Sequence, residues 1–94
     1  MVVSMSTDVS LKVHEEAVIS TLQEAASNLD SAQGETVLDF SEVRRLDAAA
    51  VRALEELVQA AEDKAVKVVL TGVNVDVYKV LKLVKLTPKL SFVN

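Results

Sequence analysis

Few side chains in this sequence suit proton transfer, nucleophilic attack or ion binding. His14 is the single imidazole, and there is no cysteine. Disulfides, thiolate metal sites and cysteine nucleophiles are thereby excluded, and the redox compartment stays unread. One histidine cannot build a histidine-rich site, so no structural zinc or other resident metal is expected. A serine hydrolase needs a serine, a base and an orienting acid in one place. No serine here sits on a nucleophile elbow, and His14 reads as a surface or strand-end residue. The adjacent carboxylates Glu15-Glu16, Glu55-Glu56 and Glu62-Asp63 fall on helical stretches, where neighbouring positions point about 100° apart. They cannot act on one substrate atom together and read as solvated charge. Asp39 is different, because it interrupts an apolar strand. Two roles are open to it: a site group at the strand's carboxyl end, where open α/β sheets place ligands, or an anchor for the following loop. Gly34 and Gly72 are the only glycines and neither opens a phosphate-cradling pattern. No catalytic residue and no cofactor are expected.

The composition narrows the classes further. Ninety-four residues make one domain, near the short end of the commonest size of roughly 100–150 residues. Half the residues are apolar, yet Phe40, Phe92 and Tyr78 are the only aromatics, so the core is built from Val, Leu, Ala and Ile. So few flat rings argue against a platform for single-stranded nucleic acid. The net charge of −4 also argues against duplex DNA. No apolar run approaches the ~20 residues that span a bilayer. The first residues, Met1 to Met5, lack the basic segment and apolar stretch of a signal peptide. A cytoplasmic protein without direct membrane insertion is expected. The charge is uneven: residues 1–63 carry 13 acidic and 4 basic side chains, residues 64–94 carry 1 and 6. Either this gradient is incidental to a solvated surface, or it marks a basic face that meets an acidic partner.

The elements follow from hydrophobic period. Val9-Ser10-Leu11-Lys12-Val13 alternates as a half-buried strand does. From Glu15 to Leu29 the period becomes helical, with Val18, Leu22, Ala25, Ala26 and Leu29 on one stripe. Asp30 to Gly34 reads as a loop. Thr36 to Phe40 is a short apolar run, consistent with a central strand. Asp47 can accept an amide hydrogen bond as the N-cap of a helix predicted from Ala48 to about Lys64, with Val51, Leu54, Leu57, Val58 and Ala61 inward. Lys67 to Thr71 is the next strand, ended by Gly72. Asn74 or Asp76 caps a helix predicted over Val77 to Val84, with Val77, Val80, Leu81 and Val84 inward and Lys79, Lys82 and Lys85 outward. Pro88 stops continuation. Leu90 to Val93 is a last strand or a packed tail. Strands alternating with helices imply parallel pairing through right-handed crossovers.

Between Val37 and Leu86 the sequence resembles the STAS-domain family. Leu38-Asp39-Phe40-Ser41-Glu42-Val43 is similar to its L-D-L-S-x-V-like strand. The run Arg44-Arg45-Leu46-Asp47-Ala48-Ala49-Ala50 then leads into its D-S-S-G-like helix start. Val68-Val69-Leu70-Thr71-Gly72-Val73, then Val77 to Leu83, resemble its next strand, glycine turn and third helix. The resemblance covers about half the chain. It implies a small α/β domain that docks on other proteins, as bacterial anti-sigma factor antagonists, stressosome scaffold subunits, sulfate-transporter modules and small subunits of lipid ABC transporters do. In the antagonists an anti-sigma factor kinase phosphorylates the second serine of D-S-S-G, and the added charge releases the partner. Ala49 holds that position here, with Ala48 for the first serine and Ala50 for the glycine. Alanine has no hydroxyl, so the phosphorylation switch is absent at this position. Ser41 and Thr71 keep hydroxyls, but nothing marks either as a substitute.

The alanine run has two readings. It is the best helix-forming composition, and it is also a flat face that loses little side-chain entropy on docking. The overall expectation is a single STAS-like domain over residues 1–94, shortened at both ends relative to the family, with about four strands in a mixed sheet and helices chiefly on one face. The expected function is a non-enzymatic protein-binding module like an anti-sigma factor antagonist, whose partner is a kinase-type anti-sigma factor or related regulator. Asp47, Ala48, Ala49, Arg52 and Ala53 are the expected contact residues. One alternative is a structural subunit of a lipid ABC transporter or signalling scaffold. Another is an enzyme or small-ligand binder using Asp39.

Overall fold

The structure, a computed structural model, describes residues 11–31 and 34–93. Val9 and Ser10 of the first expected strand, and Ala32 and Gln33 of the expected loop, lie outside the described residues. Among the described residues four strands form one sheet: β1 (Leu11–Lys12), β2 (Glu35–Asp39), β3 (Lys67–Thr71) and β4 (Ser91–Val93). Three helices connect them: α1 (Val18–Ser27), α2 (Ala48–Asp63) and α3 (Val75–Leu83). Short 3-10 turns at Glu15–Ala17, Leu29–Ser31 and Thr87–Lys89 flank α1 and precede β4.

The strands stand in the order β1-β2-β3-β4, and every pair is parallel. This corrects the expectation of a mixed sheet. The reason is connectivity: a helix lies between each strand and the next, carrying the chain back before the next strand starts. A hairpin, the short connection available only to an antiparallel pair, joins none of these four strands. Because the order advances one strand at a time, right-handed crossovers leave all three helices on the same side. One core cluster accordingly joins Val18, Leu22 and Ala25 of α1, Leu54, Leu57 and Val58 of α2, and Val77 and Leu81 of α3 to Leu38, Val68 and Leu70 of the sheet. The register sets Leu38 beside Leu70 and Leu11 beside Leu38, so these side chains share the helix-covered face.

Helical period places the elements well but misjudges some inward residues. In α2, Ala50 and Ala53 are buried with Leu54, Leu57, Val58 and Ala61, whereas Val51 is only partly buried. The expected stripe was therefore rotated toward Val51. Ala50, Ala53 and Ala61 are buried in the core, where a larger side chain would need space that close packing does not leave. In α3 the buried residues are Val77 and Leu81, and Val80 and Val84 are half-buried. This helix also starts two residues before the expected Val77.

Helix ends are closed by local chemistry. After α2, Ala65 adopts φ +57°, its amide donates to Glu62 O at 3.2 Å and the Val66 amide to Ala61 O at 2.8 Å. That is a Schellman closure with alanine where glycine is usual. The same closure follows α3, with Lys85 at φ +66° and the Leu86 amide donating to Leu81 O at 2.9 Å. Both turn the chain sharply toward the next strand.

Candidate functional site

The segment from the carboxyl end of β2 to the start of α2 carries the candidate site. Phe40, Val43 and Leu46 pin it to the core, at 0%, 1% and 7% exposure, while Ser41, Glu42, Arg44 and Arg45 between them face solvent. Apolar anchors at every third residue make a loop that cannot drift. Polar ties complete it. The Phe40 amide donates to Thr71 O at 2.8 Å and the Val43 amide to Phe40 O at 2.9 Å.

Side chains distant in sequence hold the same loop. The Asn74 side-chain amide donates to Val43 O at 3.1 Å and to Arg44 O at 3.2 Å. Its oxygen accepts the Val77 amide at 2.8 Å, capping α3. The structure thus selects Asn74 over Asp76 as the cap and adds a clamp that sequence reasoning missed. A capping asparagine has a spare amide, but nothing in the sequence says where it points. On the other flank, Glu15 accepts the Arg44 amide at 2.7 Å. Glu42 lies 2.9 Å from His14 Nδ1 and 3.4 Å from Lys12 Nζ. Its carboxyl is held below the ordinary value by the His14 contact first and Lys12 next. His14 is therefore engaged in tying β1 to the loop. A shallow depression between these groups is lined by Glu15, Glu16, Ser41, Glu42 and Arg44.

Asp39 accepts the Ser41 amide at 2.9 Å. Its carboxyl is lowered by the Ser41 hydroxyl first, then by that amide, with the Lys12 charge adding to both. This is the geometry of a loop anchor, the second of the two roles open to Asp39. A depressed folded value means that ionised Asp39 stabilises the fold above the unfolded carboxylate value of about 3.9, and that this contribution is lost as pH falls through the folded value. Partial exposure keeps it small. Asp39→Asn is expected to lower the urea midpoint modestly at neutral pH and to flatten the acid side of the stability–pH curve. If the variant's acid limb runs parallel to that of the parent, Asp39 contributes nothing through its charge.

The loop delivers the chain to α2 through Asp47. Its backbone is extended, at φ −89° and ψ 179°, and its carboxylate accepts the Ala50 amide at 2.8 Å. This is the expected N-cap. Ala48, Ala49 and Arg52 follow and are all exposed, whereas Ala53 is 8% exposed and belongs to the core. Four of the five expected contact residues therefore share the surface, and Ala53 lies beneath them. Among the described residues, no carboxylate pairs with Arg45 or Arg52. The result is a pair of exposed alanine methyl groups beside the Arg52 guanidinium, at a helix start capped by Asp47. Among the described residues no three His, Asp or Glu side chains converge to hold a metal, and no helix is long and apolar enough to cross a membrane.

Comparison with known proteins bears on the family and the fold. A family model described as STAS domain matches residues 7–94. Among curated proteins no sequence matches the chain. A candidate anti-sigma factor antagonist from Thermotoga maritima is similar in structure, with a TM-score of 0.70 at 16% identity over 90% of this chain and 72% of that one. A serine-to-glutamate variant of RsbS from Moorella thermoacetica is similar as well, with a TM-score of 0.71 at 24% identity over 87% of this chain and 74% of that one. At these identities the two structures show a shared fold.

Proposed function

The chain belongs to the STAS domain family, and from that premise we propose that it is a non-enzymatic docking module of the anti-sigma factor antagonist kind, working in the cytoplasm. The observation that carries this reading is the exposed Ala48-Ala49-Arg52 patch at the start of α2, held rigid by the Asp47 cap. Ala49 is taken as the counterpart of the serine that family antagonists have phosphorylated. Without a hydroxyl the partner is not released by phosphorylation at this position, so binding is constitutive there. Docking here needs no loop reordering. The cap, the three apolar anchors and the Asn74 clamp already fix the surface, and preorganisation of this kind lowers the cost of binding.

The partner on this reading is a kinase-type anti-sigma factor or related regulator. Tagged protein recovered gently from its host should carry such a protein with it. Replacing both Ala49→Asp and Arg52→Glu should weaken that contact about tenfold or more, with the circular dichroism spectrum unchanged. Undiminished binding by the double variant to a verified partner sinks the assignment of this face. A second reading, a permanent structural subunit of a lipid ABC transporter or signalling scaffold, draws on the same alanine, since a permanent complex needs no release step. Recovery of a transporter ATPase or scaffold subunits would transfer the function to that class.

A further inference from the structure

Opposite charges stand unpaired on neighbouring helices of this chain. On α2, Glu55, Glu56, Glu62 and Asp63 are exposed, on the side opposite the buried Ala50, Leu54, Leu57 and Ala61. On α3, Lys79 and Lys82 are exposed, and Lys85 follows just past its end. None of these three lysines has an ion-pair partner among the described residues, and of the α2 carboxylates only Glu62 makes an ion pair, with Lys89 at 3.6 Å. Apolar side chains sit among the lysines: Val75 is 66% exposed and Leu83 81%. An exposed leucine within a run of like charge stabilises nothing in the monomer.

Both complements of a contact are therefore present on one molecule. The strands are all parallel and each helix returns against them, so α2 and α3 run in the same direction on one face of the sheet. A two-fold axis parallel to these helices, placed between two such layers, sets α2 of one copy on α3 of the other and the reverse. Each acidic strip then meets a basic one, the same contact occurs twice, and the assembly closes, as a self-complementary two-fold interface must. We propose that this face docks a second copy of the chain, with Glu55, Glu56 and Asp63 of each copy facing Lys79, Lys82 and Lys85 of the other around Val75 and Leu83. Charge complementarity governs specificity and encounter more than tightness, so the dimer is salt-sensitive. The proposal does not rest on a partner at Ala48-Ala49-Arg52; Arg52 lies one turn before Glu55 and Glu56 on the same exposed side of α2, and the variant on α3 leaves that face untouched, so the two contacts can fail separately.

Sedimentation velocity across a salt series tests it, using the full chain. The parent should dimerise at low ionic strength and dissociate as salt rises. Lys79→Glu with Lys82→Glu places acid against acid, and Glu55→Lys with Glu56→Lys places base against base. Each variant alone should dimerise at least tenfold more weakly. An equimolar mixture of the two should recover the dimer, because one contact keeps its original signs and the other is restored with its signs exchanged. Recovery by mixing also shows that neither variant had merely misfolded. A parent that stays monomeric at low salt and high concentration overturns the proposal, as does a mixture that stays monomeric. Retention of monomer on phosphatidylserine vesicles, lost in the lysine variant, would also overturn it and give the basic strip to a membrane surface.

Discussion

Phe40→Ala is expected to remove about 3–5 kcal/mol of folding stability, the largest effect of any single side chain near the candidate site. Phe40 is wholly buried and stands immediately after β2, where the sheet hands over to the loop that presents α2. It is one of only two phenylalanines, and no other ring lies beside it to refill the space. Its amide is committed to Thr71 O at 2.8 Å, and its carbonyl accepts the Val43 amide at 2.9 Å, so the backbone cannot slide inward to close the cavity. A domain of ordinary stability has about 5–15 kcal/mol in total, so the loss takes a large share of it. Chemical denaturation followed by far-ultraviolet circular dichroism measures this directly. Leu83→Ala, measured at salt high enough to keep the chain monomeric, is the control: at 81% exposure it should cost well under 1 kcal/mol. Equal losses in the two variants would mean that Phe40 is not the keystone of this segment.

Gly72→Ala should cost about 2–4 kcal/mol, and for two separable reasons. The residue has φ +69°, the left-handed region that carries a penalty for any side chain. A Cβ there would stand 2.9 Å from the Ser41 Cβ and 3.0 Å from its Cα and amide nitrogen. Two of those three atoms are backbone, so no rotamer change relieves the clash. The contact joins the end of β3 to the loop after β2, and a forced shift would move Ser41 off Asp39 and disturb the path to Asp47. Adding Ser41→Gly to the variant should recover only part of the loss, since removing the Ser41 Cβ leaves its backbone in place. Full recovery would show that the side chain alone carries the strain, and a neutral Gly72→Ala would show that the two loops do not meet closely.

The two readings of Ala48-Ala49-Ala50 are divided by burial. Ala50 faces the core and has a packing reason to be small, whereas Ala48 and Ala49 face water, where packing sets no limit on size. An exposed alanine pair is explained by helix propensity or by contact with a partner. The paired substitution at Ala49 and Arg52 separates those explanations, since an exposed helix position tolerates aspartate and glutamate at small cost, whereas a docking face does not.

Local patterns in the sequence are sufficient for the identity and order of the elements. Alternation marks the first strand and short apolar runs the next two, the 3.6-residue period marks the three helices, and Asp47 announces the start of α2, because each of these signals is set by neighbours a few residues apart. The outward faces of α2 and much of α3 follow from the same period, as does the outward placement of Lys79, Lys82 and Lys85. What local patterns leave open is decided by contacts between distant parts of the chain. The sheet's direction depends on how each crossover returns. The inward turn of Ala50 and Ala53 depends on how closely α2 approaches its surroundings, and alanine looks the same to a periodicity argument on either side of a helix. The clamp of Asn74 on Val43 and Arg44, the tie of Glu15 to the Arg44 amide, the pairing of His14 with Glu42 and the fit of Gly72 on Ser41 each join residues about thirty positions apart. Such contacts form only once the sheet has brought the ends of its strands together. They hold in place the surface that the sequence could only name.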